Sequence, residues 1–107
     1  MDRENIFEPI SGFELPRFAG LPTFMRLPYI GLDNSKISDV DVGIIGAPWD
    51  AGTTNRPGPR HGPRQIRDLS TMIRPQHGVT EFRPFEHKNC ADLGDVPPNP
   101  ANLEDTL

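Results

Sequence analysis

Apolar residues fall into three stretches of this chain: a loose set over 13–30, a dense run over 40–49 and a spaced set over 66–73. The dense run, Val40-Asp-Val-Gly-Ile-Ile-Gly-Ala-Pro48, lacks polar alternation at its centre, as a parallel strand covered on both faces does. Gly43 and Gly46 leave room for another element to approach, and Pro48 ends the ladder. The period then changes. Ile66, Leu69 and Ile73, three and four apart with Met72 beside them, put one apolar face on a helix. Pro63 opens that helix without losing an intrahelical bond and Pro75 closes it, with Gly78 after the stop, so the helix is expected over 63–74. Between strand and helix, residues 50–62 form a loop rich in Gly, Thr, Asn and Pro.

Val79, Phe82 and Phe85 predict a second extended region across 79–95, ending in Cys90-Ala-Asp-Leu-Gly-Asp95 as a short strand entering a turn. Asn99 followed by Pro100 reads as a cap and first-turn proline. The segment 100–107 is then a helix barely begun, and the chain is expected to stop inside an element, as a fragment or processed subunit would.

Residues 1–39 read as an extended arm. Pro9, Pro16, Pro22 and Pro28 recur every six or seven residues and push the residue before each away from helix. Between them lie Phe13, Leu15, Phe18, Leu21, Phe24, Met25, Leu27 and Tyr29, more large apolar side chains than a solvated tail needs. Such an arm packs over a surface of its own or a neighbouring subunit, or is a partly structured leader. The chain thus divides into an arm, 1–39, and the first part of an α/β domain, 40–107.

Composition adds a constraint on size. Thirteen prolines, ten glycines and 35% apolar residues in 107 leave little material for a self-contained core, and one strand with one helix cannot enclose one. The net charge of −4 argues against nucleic acid as a partner. Its distribution is uneven: Arg56, Arg60, Arg64, Arg67 and Arg74 face only Asp68 within 56–74, while 81–107 holds six acids against Arg83 and Lys88. Pairing within the molecule or at a subunit contact is the expected use of the arginines, with solvated surface or small-anion contact as the alternative. Cys90 stands alone, which rules out a disulfide within the chain and fits a reducing compartment as a buried structural thiol. The N-terminus carries no apolar signal segment and no run of 18 apolar residues occurs, so a cytoplasmic protein without membrane contact is expected.

The block Gly43-Ile-Ile-Gly-Ala-Pro-Trp-Asp50, continuing as Gly52-Thr-Thr-Asn-Arg-Pro-Gly-Pro-Arg-His-Gly-Pro-Arg-Gln-Ile-Arg67, resembles the first strand, loop and helix of the ureohydrolase (arginase/agmatinase) family. Asp92-Leu-Gly-Asp95 is similar to that family's next short strand, and Pro16-Arg-Phe-Ala-Gly-Leu-Pro-Thr-Phe-Met-Arg-Leu-Pro28 to the leader of its agmatinase-like and guanidino-acid branch. The resemblance implies the N-terminal portion of a three-layer α/β/α fold with a central parallel sheet. It also implies a parent enzyme that hydrolyses agmatine or a guanidino acid to urea and an amine, using two divalent ions, manganese first and nickel second. A guanidinium carbon is a poor electrophile, and metal-activated water answers that difficulty. The family's ligand segments, Gly-Gly-Asp-His, Asp-x-His-x-Asp and Asp-x-Asp, do not occur here, so neither a metal ligand nor a catalytic residue is expected in this segment. The implied partners are the remainder of the polypeptide or a complementary chain, a small guanidine substrate, and further copies in a trimer or hexamer. The alternative is a non-catalytic structural or interaction piece derived from the same fold.

The resemblance implies that loop 50–62 lies near the mouth of the active site, with Thr53, Thr54, Asn55, Arg56 and His61 as its candidate residues. Loops at the carboxyl ends of parallel strands are where ligands bind in α/β sheets. Thr53, Thr54 and Asn55 supply small hydrogen-bonding groups and Arg56 a rigid fork. The same residue types also build Asx turns and tie loops to the body, and both uses stand. Asp50, at the strand end, is expected to organise the loop; Arg64 and Arg67 are expected to be structural or interfacial; Trp49 is expected to anchor packing. Gly58 and Gly62 are expected to supply turn freedom. His61, His77 and His87, 16 and 10 apart, match no zinc spacing, and no phosphate loop precedes the helix.

Overall fold

The apolar run from residue 42 forms strand β1, Val42–Gly46, and it pairs in parallel with β2, Cys90–Asp95. These belong to a computed structural model that describes residues 6–97; the helix expected over 100–107 lies outside them. The register runs Val42–Cys90, Gly43–Ala91, Ile44–Asp92, then shifts so that Ile45 meets Gly94 and Leu93 is the extra residue of a bulge. Gly94 takes φ +87° there, a conformation that favours glycine. The arm lies on the free side of β2: Asp92 N–H donates to the Pro28 carbonyl at 2.9 Å and Ile30 N–H to the Asp92 carbonyl at 3.0 Å, making an isolated parallel bridge at Tyr29.

Side chains alternate across β2, and the two faces receive different partners. Ala91 and Leu93 face the arm, where Phe7 and Ile30 form the buried cluster together with Ile37 and Val40. Asp92 faces the other way, toward α1, Gly62–Ser70. Gly46 is what lets α1 sit there, because a Cβ on it would stand 2.9 Å from Pro63 Cβ and overlap the Asp95 carboxylate.

Five details depart from the sequence expectation. Strand β1 is Val42–Gly46, not 40–48, and among the described residues it is not covered on both faces, with Val42 at 44% and Ile45 at 54% exposure. The helix ends at Ser70, not residue 74, because the Ser70 and Thr71 hydroxyls donate to the Arg67 and Asp68 carbonyls and the chain turns through Thr71–Ile73. Among the described residues its Ile66–Leu69–Ile73 face is uncovered, with Ile66 at 59% and Leu69 at 60% exposure, and the packed face is the one bearing Arg67 and Ser70. Residues 79–89 are not extended: a turn closes at His77, whose ring Nδ1 accepts from Val79 and Thr80 N–H, and a short helix α2 spans Pro84–His87. The arm is not extended throughout, since 3₁₀ turns occur at Phe24–Arg26 and Ser35–Asp39.

The first of those turns is strained. Met25 and Arg26 have φ of 50° and 61°, costing about 1–2 kcal/mol each. Hydrogen bonds from the body hold them: Phe24 N–H donates to Asp92 Oδ2 at 2.9 Å and Met25 N–H to Ser70 Oγ at 2.8 Å. Arg17 further fastens the arm by donating to the Thr71 and Ile73 carbonyls at 3.3 and 3.2 Å.

Candidate functional site

The parallel pairing sends the C-terminal ends of β1 and β2 to the same side, and the loop after β1 begins there. Asp50 anchors it. This residue is only 4% exposed, and its carboxylate accepts from Gly58 N–H at 2.8 Å, Arg60 N–H at 3.4 Å and Arg60 Nε at 2.8 Å, with Arg60 Nη2 at 2.7 Å. The hydrogen bond from the Arg60 side chain, with help from the two amides, outweighs burial and holds the Asp50 carboxyl at about 2, below its ordinary 3.8. Thr53 closes the first turn of the loop, its N–H and hydroxyl reaching the Asp50 carbonyl at 3.1 and 2.8 Å.

Thr53, Thr54, Asn55, Arg56 and His61 are all exposed. Among the described residues Thr54, Asn55 and Arg56 make no hydrogen bond or ion pair, so the apex of the loop is unbonded while its base is clamped. His61 sits at the end of a 3₁₀ turn, Pro59–His61, immediately before α1. Gly58 takes φ +151°, as its turn role requires, whereas Gly62 at −59° is ordinary helix and needs no glycine. Trp49 is half-buried.

The second carboxylate centre lies on β2. Asp92, 1% exposed, accepts from Arg67 Nε at 2.7 Å and Nη2 at 3.0 Å, from Phe24 N–H and from Gly94 N–H. Arg67 also reaches Asp95 Oδ1 at 2.7 Å and the Gly94 carbonyl at 2.9 Å. Burial pushes the Asp92 carboxyl up, but the Arg67 fork and the amides of Phe24 and Gly94 bring it below the ordinary carboxylate value. Asp92 and Asp95 are therefore both committed to one arginine. Cys90 is buried, and burial, with the nearby Asp41, raises its thiol. Among the described residues no three His, Cys, Asp or Glu side chains converge as metal ligands would. No described helix is long and apolar enough to cross a membrane.

Sequence reasoning missed Asp92 as a centre and Ser70 as the holder of the strained arm turn. A signal existed for the first: an acid inside an apolar strand run must find a cation. None existed for the second.

Residues 40–107 match the Arginase family. The chain is 49% identical over 94% of its length to guanidinopropionase of Pseudomonas aeruginosa and 45% identical over 96% to guanidinobutyrase of the same organism, spanning 30% and 32% of those proteins. Among solved structures, proclavaminate amidino hydrolase from Streptomyces clavuligerus superposes with a TM-score of 0.74 at 40% identity, over 85% of this chain and 30% of that one. A hypothetical agmatinase from Burkholderia thailandensis gives 0.77 at 26% identity over 99% and 32%. The chain thus spans about a third of the length of the relatives it matches, their N-terminal part.

Proposed function

The chain belongs to the arginase family, and from that premise we propose that it forms the N-terminal part of an amidinohydrolase that splits a guanidino acid or agmatine into urea and an amine. The observation that supports this reading best is the 49% identity to a guanidinopropionase over 94% of the chain. Two divalent ions, manganese first and nickel second, supply the activated water and the Lewis acidity such a carbon demands. The described residues do not fit them as a ligand set, since Asp50, Asp92 and Asp95 are each held by an arginine. In our reading the ligands come from elsewhere in the polypeptide, and residues 6–97 contribute the frame and the pocket-side loop.

Within that frame Thr53, Thr54, Asn55, Arg56 and His61 stand at the carboxyl end of the sheet, where they would meet substrate or neighbouring loops. Further copies of the chain, in a trimer or hexamer, are the proposed partners, with exposed Phe13, Phe18 and Leu21 on the arm as the apolar surface that would be covered. The test is urea release by the purified polypeptide that carries this segment, loaded with manganese or nickel in turn. The substrates are guanidinopropionate, guanidinobutyrate, agmatine and arginine. Urea from a guanidino acid or from agmatine is expected. A folded, metal-loaded protein that yields none from any of them overturns the reading in favour of a non-catalytic piece of the same fold.

A further inference from the structure

The loop after β1 hangs from a single carboxylate. Between Asp50 and Arg60 the Asp50 side chain receives donors from Gly58 and Arg60, and its carbonyl receives Thr53. The stretch between these ties, Thr54 to Arg56, is exposed and unbonded among the described residues. A loop whose base is fixed and whose polar apex is free is built to present that apex. The base is fixed asymmetrically: Asp50 is buried four residues beyond β1, whereas the Arg60 side chain is 52% exposed and among the described residues is tied only to the acid.

We propose that Asp50 and Arg60 are positioning residues, whose ion pair sets loop 51–59 so that Thr54, Asn55 and Arg56 meet the part of a guanidine substrate remote from the reacting carbon. The proposal rests on the amidinohydrolase reading above. Its energetic logic is that of orientation: displacement of a substrate-holding group by about 1 Å can cost about 100-fold in rate. Neither residue touches the substrate. Loss of their pair therefore lets the apex wander while the metal centre and the scaffold stay intact.

The experiment compares the wild-type polypeptide with Arg60→Ala, Arg60→Lys, Asp50→Asn and the double variant Asp50→Asn/Arg60→Ala, and uses Arg64→Ala, an exposed position on α1, as the control. Urea release gives kcat and KM, elemental analysis gives bound metal, and thermal unfolding reports the scaffold. Arg60→Ala is expected to lower kcat/KM about tenfold or more, chiefly through KM, with metal content unchanged. Arg60→Lys should recover part of the loss, since an ammonium keeps the charge but not the fork. The double variant should be no worse than the poorer single one. The proposal falls if Arg60→Ala keeps kcat/KM within twofold of wild type, if lysine restores nothing, or if activity declines only in step with bound metal or folded protein. A wild-type protein that releases no urea sinks the amidinohydrolase reading itself, whereas an active wild type with an indifferent Arg60→Ala sinks only the clamp.

Discussion

Two aspartate–arginine pairs sit near the carboxyl end of this small sheet, and they do different work. Asp92 and Arg67 join three elements: the acid is on β2, the arginine on α1, and Phe24 of the arm donates to the same carboxylate. Asp50 and Arg60 join two ends of one loop, ten residues apart. The first pair is enclosed on both sides, with 14% of the Arg67 side chain exposed; the second is enclosed on the acid side only, with Arg60 half in solvent. Identical chemistry therefore serves as a structural joint in one place and as a holder of an otherwise free segment in the other. What separates them is how many elements lose their partner when the arginine goes.

That difference is testable on Arg67 first, where the largest effect lies. Arg67→Ala leaves Asp92 buried with two amide donors and no cation, and frees Asp95 as well. Breaking such a buried pair costs about 3–5 kcal/mol. Denaturant unfolding of the polypeptide carrying this segment should show a loss in that range. Arg60→Ala should shift the midpoint far less, because the half-exposed guanidinium leaves a gap that water can enter, and Asp50 keeps the Gly58 and residue-60 amides. Equal shifts from the two variants would erase the distinction drawn between the pairs.

Much of the frame was legible beforehand. The apolar run over 40–48 and the segment Cys90–Asp95 located two parallel strands, although β1 is not covered on both faces among the described residues, since an apolar run reports which residues want burial and not what covers them. Asp50 was readable as a loop organiser through the family resemblance, and intramolecular pairing was expected of the arginine-rich stretch, where Arg60 and Arg67 make it. The α1 face was legible as apolar, yet it is uncovered among the described residues, since periodicity reports which side wants burial and not what covers it. The end of α1 was misjudged because Ser70 and Thr71 turn back on the helix carbonyls, competing with further helix in a way no apolar period reveals. The strained turn at Met25 and Arg26 was invisible, because the acceptors that hold its N–H groups lie 45 and 68 residues away.

A smaller effect is expected at Gly46, and it probes the structural joint alone. An alanine there places its Cβ 2.9 Å from Pro63 Cβ and into the Asp95 carboxylate that Arg67 holds. The backbone of α1 must retreat or Asp95 must release Arg67. Overpacking of this kind costs about 1–3 kcal/mol. Measured in the Arg67→Ala background, Gly46→Ala should cost less than in wild type, because Asp95 is already free. Strict additivity of the two changes would show that the glycine serves only the Pro63 contact.

The smallest effect concerns acid. Asp50 titrates at about 2 in the folded protein against an ordinary 3.8. A carboxyl whose folded value is depressed contributes stability that is fully present above the unfolded value and is lost as pH falls through the folded one. For Asp50 that window runs from about 4 down to about 2. The difference in melting temperature between wild type and Asp50→Asn should therefore hold steady from pH 7 to about 4 and then shrink as pH approaches 2, because an uncharged asparagine has no proton to take up. Asp92, also depressed, should give the same sign with Asp92→Asn but a wider gap at neutral pH, since its partner arginine is more enclosed and joins more elements. A gap for Asp50→Asn that stays constant between pH 4 and pH 2 would mean that the Arg60 bond does not depend on the charge of Asp50. The loop would then be held by shape, through the Gly58 and Thr53 turns, and the resemblance between the two pairs would be one of geometry alone.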